Sequence, residues 1–324
     1  MRGKLSGASV TPVGFLEARA GHIVREYRGE AESRFGPVVH SLTKPLVPAL
    51  LAGLIDGYVA KSGRRTVGLL CQAKFAGIAR ITFCHVLAGY RGQGIEEDLI
   101  GASVEKMIRG PQPVARIVCE VMGVSHHDLD RVFADLGFVV VDRLMMRASL
   151  PEASTRPPAE RVLQLHGGET CLIRGWARGD ELAAAETIMD ANQESTDGQI
   201  YPELLLDRHV QLAVDSIVRG SSGPFDVVSS SVAAAPATGQ TVGVALCSRI
   251  AGRHGFLTEL AVRRAWQGRG IGSALLGRVT AGMTSWRATA VDLAVTKANQ
   301  PAVRLYEGRG FRSISPFGAY CWPK

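Results

Sequence analysis

The second half of the chain alternates between apolar runs of strand length and apolar positions spaced as in a helix. Residues 254–262 have β-strand character, and Ile271, Leu275 and Val279 then recur at i, i+4 and i+8, as on one face of a helix. The pattern continues with a predicted strand, helix and strand over 290–295, 299–309 and 310–314. The predicted order is therefore strand, loop, helix, strand, helix, strand.

The first half repeats this order. An apolar strand over 77–87 precedes an amphipathic helix in which Ile95, Leu99 and Ala102 share one face. A second strand, a second helix and a third strand are predicted over 115–122, 127–136 and 137–144.

Glycines at equivalent places align the two halves. Aligning the loops pairs Gly94 with Gly270 at a separation of 176 residues, and aligning the Gly-Phe pairs joins Gly137 to Gly310 at a separation of 173. Two such similar separations indicate an internal repeat.

A proline-rich segment separates the two repeats. Residues 151–161 contain three prolines and almost no apolar side chain, so they are predicted to form a linker.

Residues 221–240 are low in complexity and are predicted to include one arm of a hairpin, with a turn near 236–240. Further helices are predicted ahead of each repeat, over 15–32, 45–60, 180–193 and 202–219. We expect an α/β protein with a mixed sheet and flanking helices, divided into domains at 1–150 and 162–324.

Composition narrows the class of protein. The 324 residues are 46% hydrophobic and 21% charged, which is ordinary for a soluble globular protein. No apolar run approaches the roughly 18 residues of a membrane span, and the first residues lack the apolar core of a secretion signal. The sequence therefore predicts a cytoplasmic protein without a membrane segment.

The formal net charge of +7 comes from scattered lysines and arginines. No basic run is interleaved with aromatic residues, so nucleic acid is not the expected main partner, and a smaller anion fits the charge equally well. The six cysteines stand singly, and the one close histidine pair, His126 and His127, is adjacent in sequence. No metal site is therefore predicted. The oligomeric state is left open.

Three glycines, Gly268, Gly270 and Gly272, lie between a predicted strand and a predicted helix. The first backbone N–H groups of a helix have no partner within it, and the aligned peptide dipoles favour an anion there. Glycines also let a ligand approach where a Cβ would collide. A phosphate is the expected ligand. The Walker pattern is absent, and the dinucleotide pattern fails because Ser273 stands where its last glycine belongs.

Two motifs resemble one family. The hexapeptide 267–272, Gln-Gly-Arg-Gly-Ile-Gly, matches the R/Q-x-x-G-x-G/A signature of the GNAT superfamily of acyl-CoA-dependent N-acyltransferases. Residues 299–311 resemble a second motif of that family, in which an Asn opens a helix, a Tyr lies seven residues later and a Gly-Phe pair starts the next strand. The resemblance is specific over 242–311, and the internal repeat extends it to the first half. It implies two tandem GNAT-like domains.

The resemblance also implies a site for acetyl-CoA as co-substrate, without a metal. The pyrophosphate is expected at the glycine loop, and the N–H groups of 260–262 are expected at the thioester carbonyl. The implied coenzyme-binding residues are Leu260, Ala261, Val262, Gln267, Gly268, Arg269, Gly270, Ile271, Gly272, Ser273 and Asn299. Arg263 and Arg264 crowd the same loop and are expected to add phosphate contacts.

Acyl transfer from a thioester to nitrogen requires a neutral amine. Deprotonating an alkylammonium near pH 7 costs roughly 4 to 5 kcal/mol, so a positioned base is useful. Glu259, in the strand that enters the loop, is the candidate base, and Tyr306 is the position implied as the acid for the departing thiolate. Structural roles stay open for Glu259 as an exposed strand residue, for Tyr306 as core packing and for Asn299 as a helix cap.

The first half keeps the pattern but not these side chains. The aligned pairs are Phe83 and Glu259, Phe133 and Tyr306, His126 and Asn299, and Glu96 and Gly272. A Glu96 carboxylate about 5 Å from a pyrophosphate charge would cost on the order of 3 kcal/mol. We therefore expect a degenerate first domain without catalytic activity. In the alternative, the repeat reflects only two α/β segments, and the first half is an unrelated domain that covers the second.

The sequence thus predicts an N-acetyltransferase that moves an acetyl or short acyl group from acetyl-CoA to an amine by direct attack on the thioester. It would be an acyltransferase of the class that transfers groups other than amino-acyl groups. The alternatives are a CoA-binding regulatory or sensor protein without turnover and a nucleic-acid-binding module. The acceptor stays open among protein amines, polyamines, aminoglycosides and an amino-sugar thiol precursor.

Overall fold

The computed structural model describes residues 7–14, 20–75, 77–110, 114–122, 126–151, 158–165 and 168–322. The chain forms two compact units, of which the first comprises Met1–Arg143 with Pro316–Lys324 and the second comprises Leu144–Ser315. The segment predicted as a linker lies in the sequence of the second unit, and its residues 152–157 fall outside the described residues. Within the described ranges, no helix is both long enough and apolar enough to cross a membrane.

Among its described residues, the first unit contains a sheet and five α-helices. Its strands are β1 (Ser9–Pro12), β2 (Asp56–Ser62), β3 (Arg65–Phe75), β4 (Ile78–Val86), β5 (Arg116–Val121) and the beginning of β6 (Val139–Ser149). Its helices are α1 (Gly21–Phe35), α2 (Val38–Thr43), α3 (Leu46–Leu51), α4 (Ile95–Arg109) and α5 (His126–Asp135). The strands pair in the order β1 to β5, with β4 and β5 parallel and the other pairs antiparallel. Residues 318–322 then pair antiparallel with β5.

The second unit has the same plan. Its strands are the end of β6, β7 (Arg161–Gln164), β8 (Thr170–Gly175), β9 (Ser231–Ala234), β10 (Thr241–Ile250), β11 (His254–Val262), β12 (Ala290–Thr296) and the beginning of β13 (Arg312–Trp322). Its helices are α6 (Glu181–Asn192), α7 (Thr196–Ile200), α8 (Asp207–Val218), α9 (Ile271–Ser285) and α10 (Gln300–Glu307). The strand order runs β6, β12, β11, β10, β9, β8, β7, and β11 and β12 are parallel.

The predicted helical face of α9 forms part of the core of the second unit. Ile271, Leu275 and Val279 are all buried in one apolar cluster with residues of β10, β11 and β12. Gly243 on β10 allows this close packing, because a Cβ there would lie 3.0 Å from Leu275 Cδ1 and 3.1 Å from Ile271 Cγ2. Burial of each such side chain contributes about 1.5–3 kcal/mol, which fixes the helix whose first turn faces the candidate site.

The helix predicted over 45–60 is wrong in its second part. Helix α3 ends at Leu51, and β2 begins at Asp56. Gly53 adopts a left-handed φ of 66°, which ends the helix, and Tyr58 then pairs with Leu70 in the antiparallel ladder. The helix predicted over 15–32 corresponds to α1, and residues 15–19 lie outside the described residues.

Predictions in the second unit fare better. The helix predicted over 180–193 is confirmed as α6. The helix predicted over 202–219 divides into a 3-10 turn at Pro202–Leu205 and α8. The predicted hairpin is confirmed, because β9 and β10 pair antiparallel around the turn at 235–240.

The two units share a strand irregularity as well as their order of elements. In β11 the register with β10 shifts at Thr258, between Leu257 and Glu259. In β4 the register with β3 shifts at Thr82, between Ile81 and Phe83. The two bulges, at Thr82 and Thr258, are 176 residues apart, which is also the separation between Gly94 and Gly270. The internal repeat therefore extends to the local backbone geometry of the strands.

Candidate active site

Strands β11 and β12 separate next to the bulge. Their parallel register joins 254–256 to 290–292, and in these fully described strands no register pair follows. Beyond Thr258, β11 stays paired with β10 on its other edge as far as Val262. One edge of β11 from Glu259 to Val262 is therefore turned towards the gap between the strands, where backbone groups can meet a ligand.

The glycine loop leads from β11 into α9. Gly270 is the N-cap of α9, with a left-handed φ of 86°, and the first N–H bonded within the helix is that of Ala274, which donates to Gly270 O at 3.0 Å. The N–H groups of Ile271, Gly272 and Ser273 therefore have no acceptor within the helix. Neither Gly268 nor Gly270 has any heavy atom within 4 Å of an ideal Cβ position. Side chains do not plug this helix start, and it suits an anion.

One cleft of about 730 Å³ joins these features. It is lined by the end of β11, the glycine loop, the first turns of α9 and α10, and the connection between α6 and α7. The predicted site residues that line it are Glu259, Leu260, Ala261, Val262, Gln267, Gly268, Gly270, Ile271, Gly272, Ser273, Asn299 and Tyr306. Arg269, and Arg263 with its expected phosphate contact, are not among the lining residues of this cleft.

The arginines around the loop contact carboxylates of the protein. Arg269 forms an ion pair with Glu169 and lies 5.1 Å from the centre of the Trp266 ring. Arg263 donates through Nε to Thr241 O at 2.8 Å and through its guanidinium to Glu186 at 3.1 Å. Of the three arginines, Arg264 alone lines the cleft, and the contacts of all three with coenzyme phosphates stay predictions.

Helix α10 positions Tyr306 in the cleft. Asn299 caps the helix, its side chain accepting a hydrogen bond from the Ala302 N–H at 3.2 Å. Tyr306 is 7% exposed, and its ring centre lies 5.7 Å from that of Phe311. The turn that follows is closed by the Phe311 N–H, which donates to Tyr306 O at 3.1 Å, with Gly310 at a left-handed φ of 87°. Asn299 thus has its cap role and lines the cleft as well.

The connection between α6 and α7 forms a cleft wall that sequence reasoning did not identify. Ser195 caps α7 by accepting from the Gly198 N–H at 3.0 Å. Asp197 then accepts a hydrogen bond from Thr296 Oγ1 at 2.5 Å, which ties this wall to the end of β12. The Ser-Thr-Asp run is a cap signal that the sequence shows, but no local pattern indicates that it lines the same cleft as Glu259.

The first unit has buried aromatic rings at the positions aligned with Glu259 and Tyr306. Phe83 is 2% exposed and meets Tyr27 edge to face at 5.0 Å. Phe133 is fully buried and stacks on Tyr320 at 4.1 Å. Glu96 stands in the first turn of α4, next to further carboxylates. Helix α5 begins at His126, whose side chain lies outside the described residues.

The described residues contain no group of three or more His, Cys, Asp or Glu side chains placed to hold a metal ion. All six cysteines are buried free thiols. Burial raises the pKa of five of these thiols, for example that of Cys171 to about 11, so these five are poor nucleophiles at neutral pH; they are Cys71, Cys84, Cys119, Cys171 and Cys247.

Sequence comparison agrees with this geometry. Residues 199–311 match the sequence model of the acetyltransferase (GNAT) family. This part of the second unit is therefore similar to the GNAT acetyltransferases, a family whose acyl donor is acyl-CoA. No curated protein matches the chain closely enough to count as a relative.

More particularly, the whole chain has the fold of tandem GNAT proteins. It is similar to a GCN5-related N-acetyltransferase from Sphaerobacter thermophilus, at 17% identity and a TM-score of 0.64, covering 97% of this chain and 95% of that one. It is also similar to a tandem GNAT protein from the clavulanic acid biosynthesis pathway, at 16% identity and a TM-score of 0.60, covering 97% and 98%. A glucosamine N-acetyltransferase region of a fungal multi-domain β-N-acetylglucosaminidase matches at 11% identity and a TM-score of 0.66, over 98% of this chain and 38% of that one.

Proposed function

We propose that the second unit transfers an acetyl or short acyl group from acetyl-CoA to an amine by direct attack on the thioester. The observation that carries this proposal is a single cleft that contains the N-terminus of α9, the separated edge of β11, Glu259 and Tyr306. The two units would be a degenerate GNAT-like domain, near 1–150, and a catalytic domain, near 162–324.

The residues of the loop fit a diphosphate. The N–H groups of Gly268 to Ser273 would hold it, since they surround a helix start with open space at Gly268 and Gly270. Arg269 would contribute through its backbone N–H, because its side chain pairs with Glu169. The coenzyme supplies an activated thioester, and the edge from Leu260 to Val262 would align it.

Two side chains would move the protons. Glu259 would accept a proton from the ammonium of the acceptor, which frees the nitrogen lone pair to form the new bond to the acyl carbon. N–H groups of Leu260 to Val262 would stabilise the negative charge that develops on the carbonyl oxygen. Tyr306 would donate its phenolic proton to the sulfur as the carbon–sulfur bond breaks. The nitrogen would lose its second proton to solvent as the amide forms, and the proton on Glu259, passed through solvent, would restore the phenol.

Charge at the cleft supports a cationic acceptor. Three carboxylates line it, those of Glu194, Asp197 and Glu259, against the one guanidinium of Arg264. The chain as a whole has the opposite balance, with a net charge of +7. An amine that arrives as an ammonium is attracted to this acidic lining, and we propose it as the acceptor class, whether in a small molecule or in a protein.

The test is thiol release from acetyl-CoA across a panel of amines, combined with calorimetric titration of CoA. The proposal predicts thiol release that depends on an amine, with about one CoA bound per chain. CoA binding without thiol release for any amine would favour a regulatory or sensor protein instead. Two equivalent CoA sites would contradict the degenerate first domain, and the absence of any CoA binding would refute the proposal as a whole.

A further inference from the structure

A carboxylate on α6 holds the turn that precedes the glycine loop. Asp190 Oδ2 accepts a hydrogen bond from the backbone N–H of Arg264 at 2.7 Å. The Arg264 guanidinium adds to this contact, donating to Gln193 Oε1 at 2.9 Å and lying 3.5 Å from Glu194. The end of α6 is thereby fixed to the point where the chain leaves β11.

The first unit contains the same contact. Glu26, on α1, accepts a hydrogen bond from the Ala88 N–H at 2.8 Å. Ala88 opens the 3-10 turn Ala88–Tyr90, as Arg264 opens the 3-10 turn Arg264–Trp266 in the second unit. The contact is present in both units, although the side chains aligned with the candidate site differ between them. We infer that it positions the loop and takes no part in acyl transfer.

The loop depends on its flanking contacts for its placement. Gly268 and Gly270 both have left-handed φ values, and with no side chain they form no packing contact that could hold the loop. The turn Arg264–Trp266 sets the direction in which these glycines leave the strand. Asp190 is not among the residues that line the cleft, so it acts on a bound ligand indirectly, and its hydrogen bond to the Arg264 N–H connects it to the loop.

We propose that Asp190 is a positioning residue that orients the glycine loop for the diphosphate of the coenzyme. The inference rests on the coenzyme site proposed above. Asp190 touches no reacting atom, so its loss is expected to raise the Kd for CoA and the KM for acetyl-CoA, with kcat preserved.

Three variants test the inference. Asp190→Ala removes the acceptor oxygen, Asp190→Asn keeps an oxygen that can accept the same N–H, and Glu26→Ala removes the equivalent bond in the first unit. We expect Asp190→Ala to raise the calorimetric Kd for CoA about tenfold, which corresponds to about 1.4 kcal/mol. Asp190→Asn should bind CoA as the wild type does, and Glu26→Ala should lower the Tm without changing the Kd.

Two results would overturn the inference. One is an unchanged CoA affinity in Asp190→Ala, and the other is an equal loss of affinity in Glu26→Ala, which would show that general destabilisation is responsible. Failure of the proposed function is a different result, because the wild-type protein would then bind no CoA at all.

Discussion

Gly270 and Gly94 are conformational counterparts in different units. Each precedes a helix of 15 residues, with φ and ψ of 86° and −1° at Gly270 and of 79° and 11° at Gly94. At Gly270 no heavy atom lies within 4 Å of the place that a Cβ would take. The two positions share one backbone geometry, and we propose that only Gly270 meets a ligand.

Alanine at these two positions separates conformational strain from binding. A left-handed alanine costs roughly 1–2 kcal/mol, so Gly270→Ala and Gly94→Ala should lower the free energy of unfolding by similar amounts. Only Gly270→Ala should also weaken CoA binding, by about tenfold or more, because its Cβ would project into the diphosphate site. Urea denaturation and calorimetry measure the two effects. Equal CoA affinities in the two variants would contradict the proposed site.

Tyr306→Phe should reduce turnover without unfolding the protein. The ring would keep its packing on Phe311 while the proton donor is lost, and general acid catalysis typically contributes 10²- to 10⁴-fold. We therefore expect kcat to fall by about 10²-fold or more, with an unchanged Kd for CoA. Tyr27→Phe is the control, because it removes a buried hydroxyl that donates to Met122 O at 2.8 Å in the first unit. That control should cost stability and leave kcat unchanged.

Glu259→Gln should make the reaction depend on alkaline pH. Without a base, the acceptor must arrive already neutral, and the neutral fraction of an alkylamine rises tenfold per pH unit up to its pKa near 10.4. We expect a large loss of kcat/KM at pH 7 that shrinks as the pH rises. Glu105→Gln, on the exposed face of α4, makes the same change in charge and should follow the wild-type profile. If Glu259→Gln instead has the same pH profile as the wild type, Glu259 is not the base.

His85 should make the stability of the first unit dependent on pH. Burial, with the Arg91 guanidinium 3.3 Å away, lowers the pKa of His85 to about 4, against an ordinary value of about 6.5. In the unfolded chain His85 therefore takes up a proton below about pH 6.5, whereas in the folded chain it does so only below about pH 4. Stability is lost as the pH falls through this window, by on the order of 3 kcal/mol in total.

The variant His85→Gln isolates this effect, because glutamine does not titrate. Urea midpoints measured between pH 4.5 and 7.5 should fall more steeply for the wild type than for His85→Gln, although other carboxylates titrate in both. Parallel curves would contradict this prediction, because they would mean that His85 takes up its proton in the folded state as readily as in the unfolded chain. The Glu26 carboxylate, with Oε1 3.6 Å from His85 Nε2, is the group that would then stabilise the protonated ring.

Local patterns were sufficient to predict the elements around the glycine loop. The spacing of Ile271, Leu275 and Val279 predicted α9 because all three face one core, and Gly310 predicted the turn that places Tyr306. The same reasoning failed at 52–60, where apolar spacing suggested a helix and the ladder with β3 prevailed.

Contacts between residues distant in sequence could not be predicted. Arg269 was expected at a phosphate because it lies in the loop, but its partner Glu169 is 100 residues away. The hydrogen bond between Asp197 and Thr296 likewise joins residues that are 99 positions apart in sequence. The sequence shows which side chains are charged or can form hydrogen bonds, but the three-dimensional fold determines which distant group becomes the partner of each.

Arg143 and Leu144 are consecutive residues of β6, yet they fall in different units, as do Ser315 and Pro316 of β13. A gene fragment that starts after the proline-rich segment would encode the second unit without its strand 144–149, and the complementary fragment would lack residues 318–322, which pair with β5. Each fragment would expose an unpaired strand edge, a common origin of aggregation. To produce each unit alone, the fragment for the first unit must therefore include residues 316–324, and the fragment for the second unit must begin at residue 144. The first of these fragments requires circular permutation or co-expression of its two pieces.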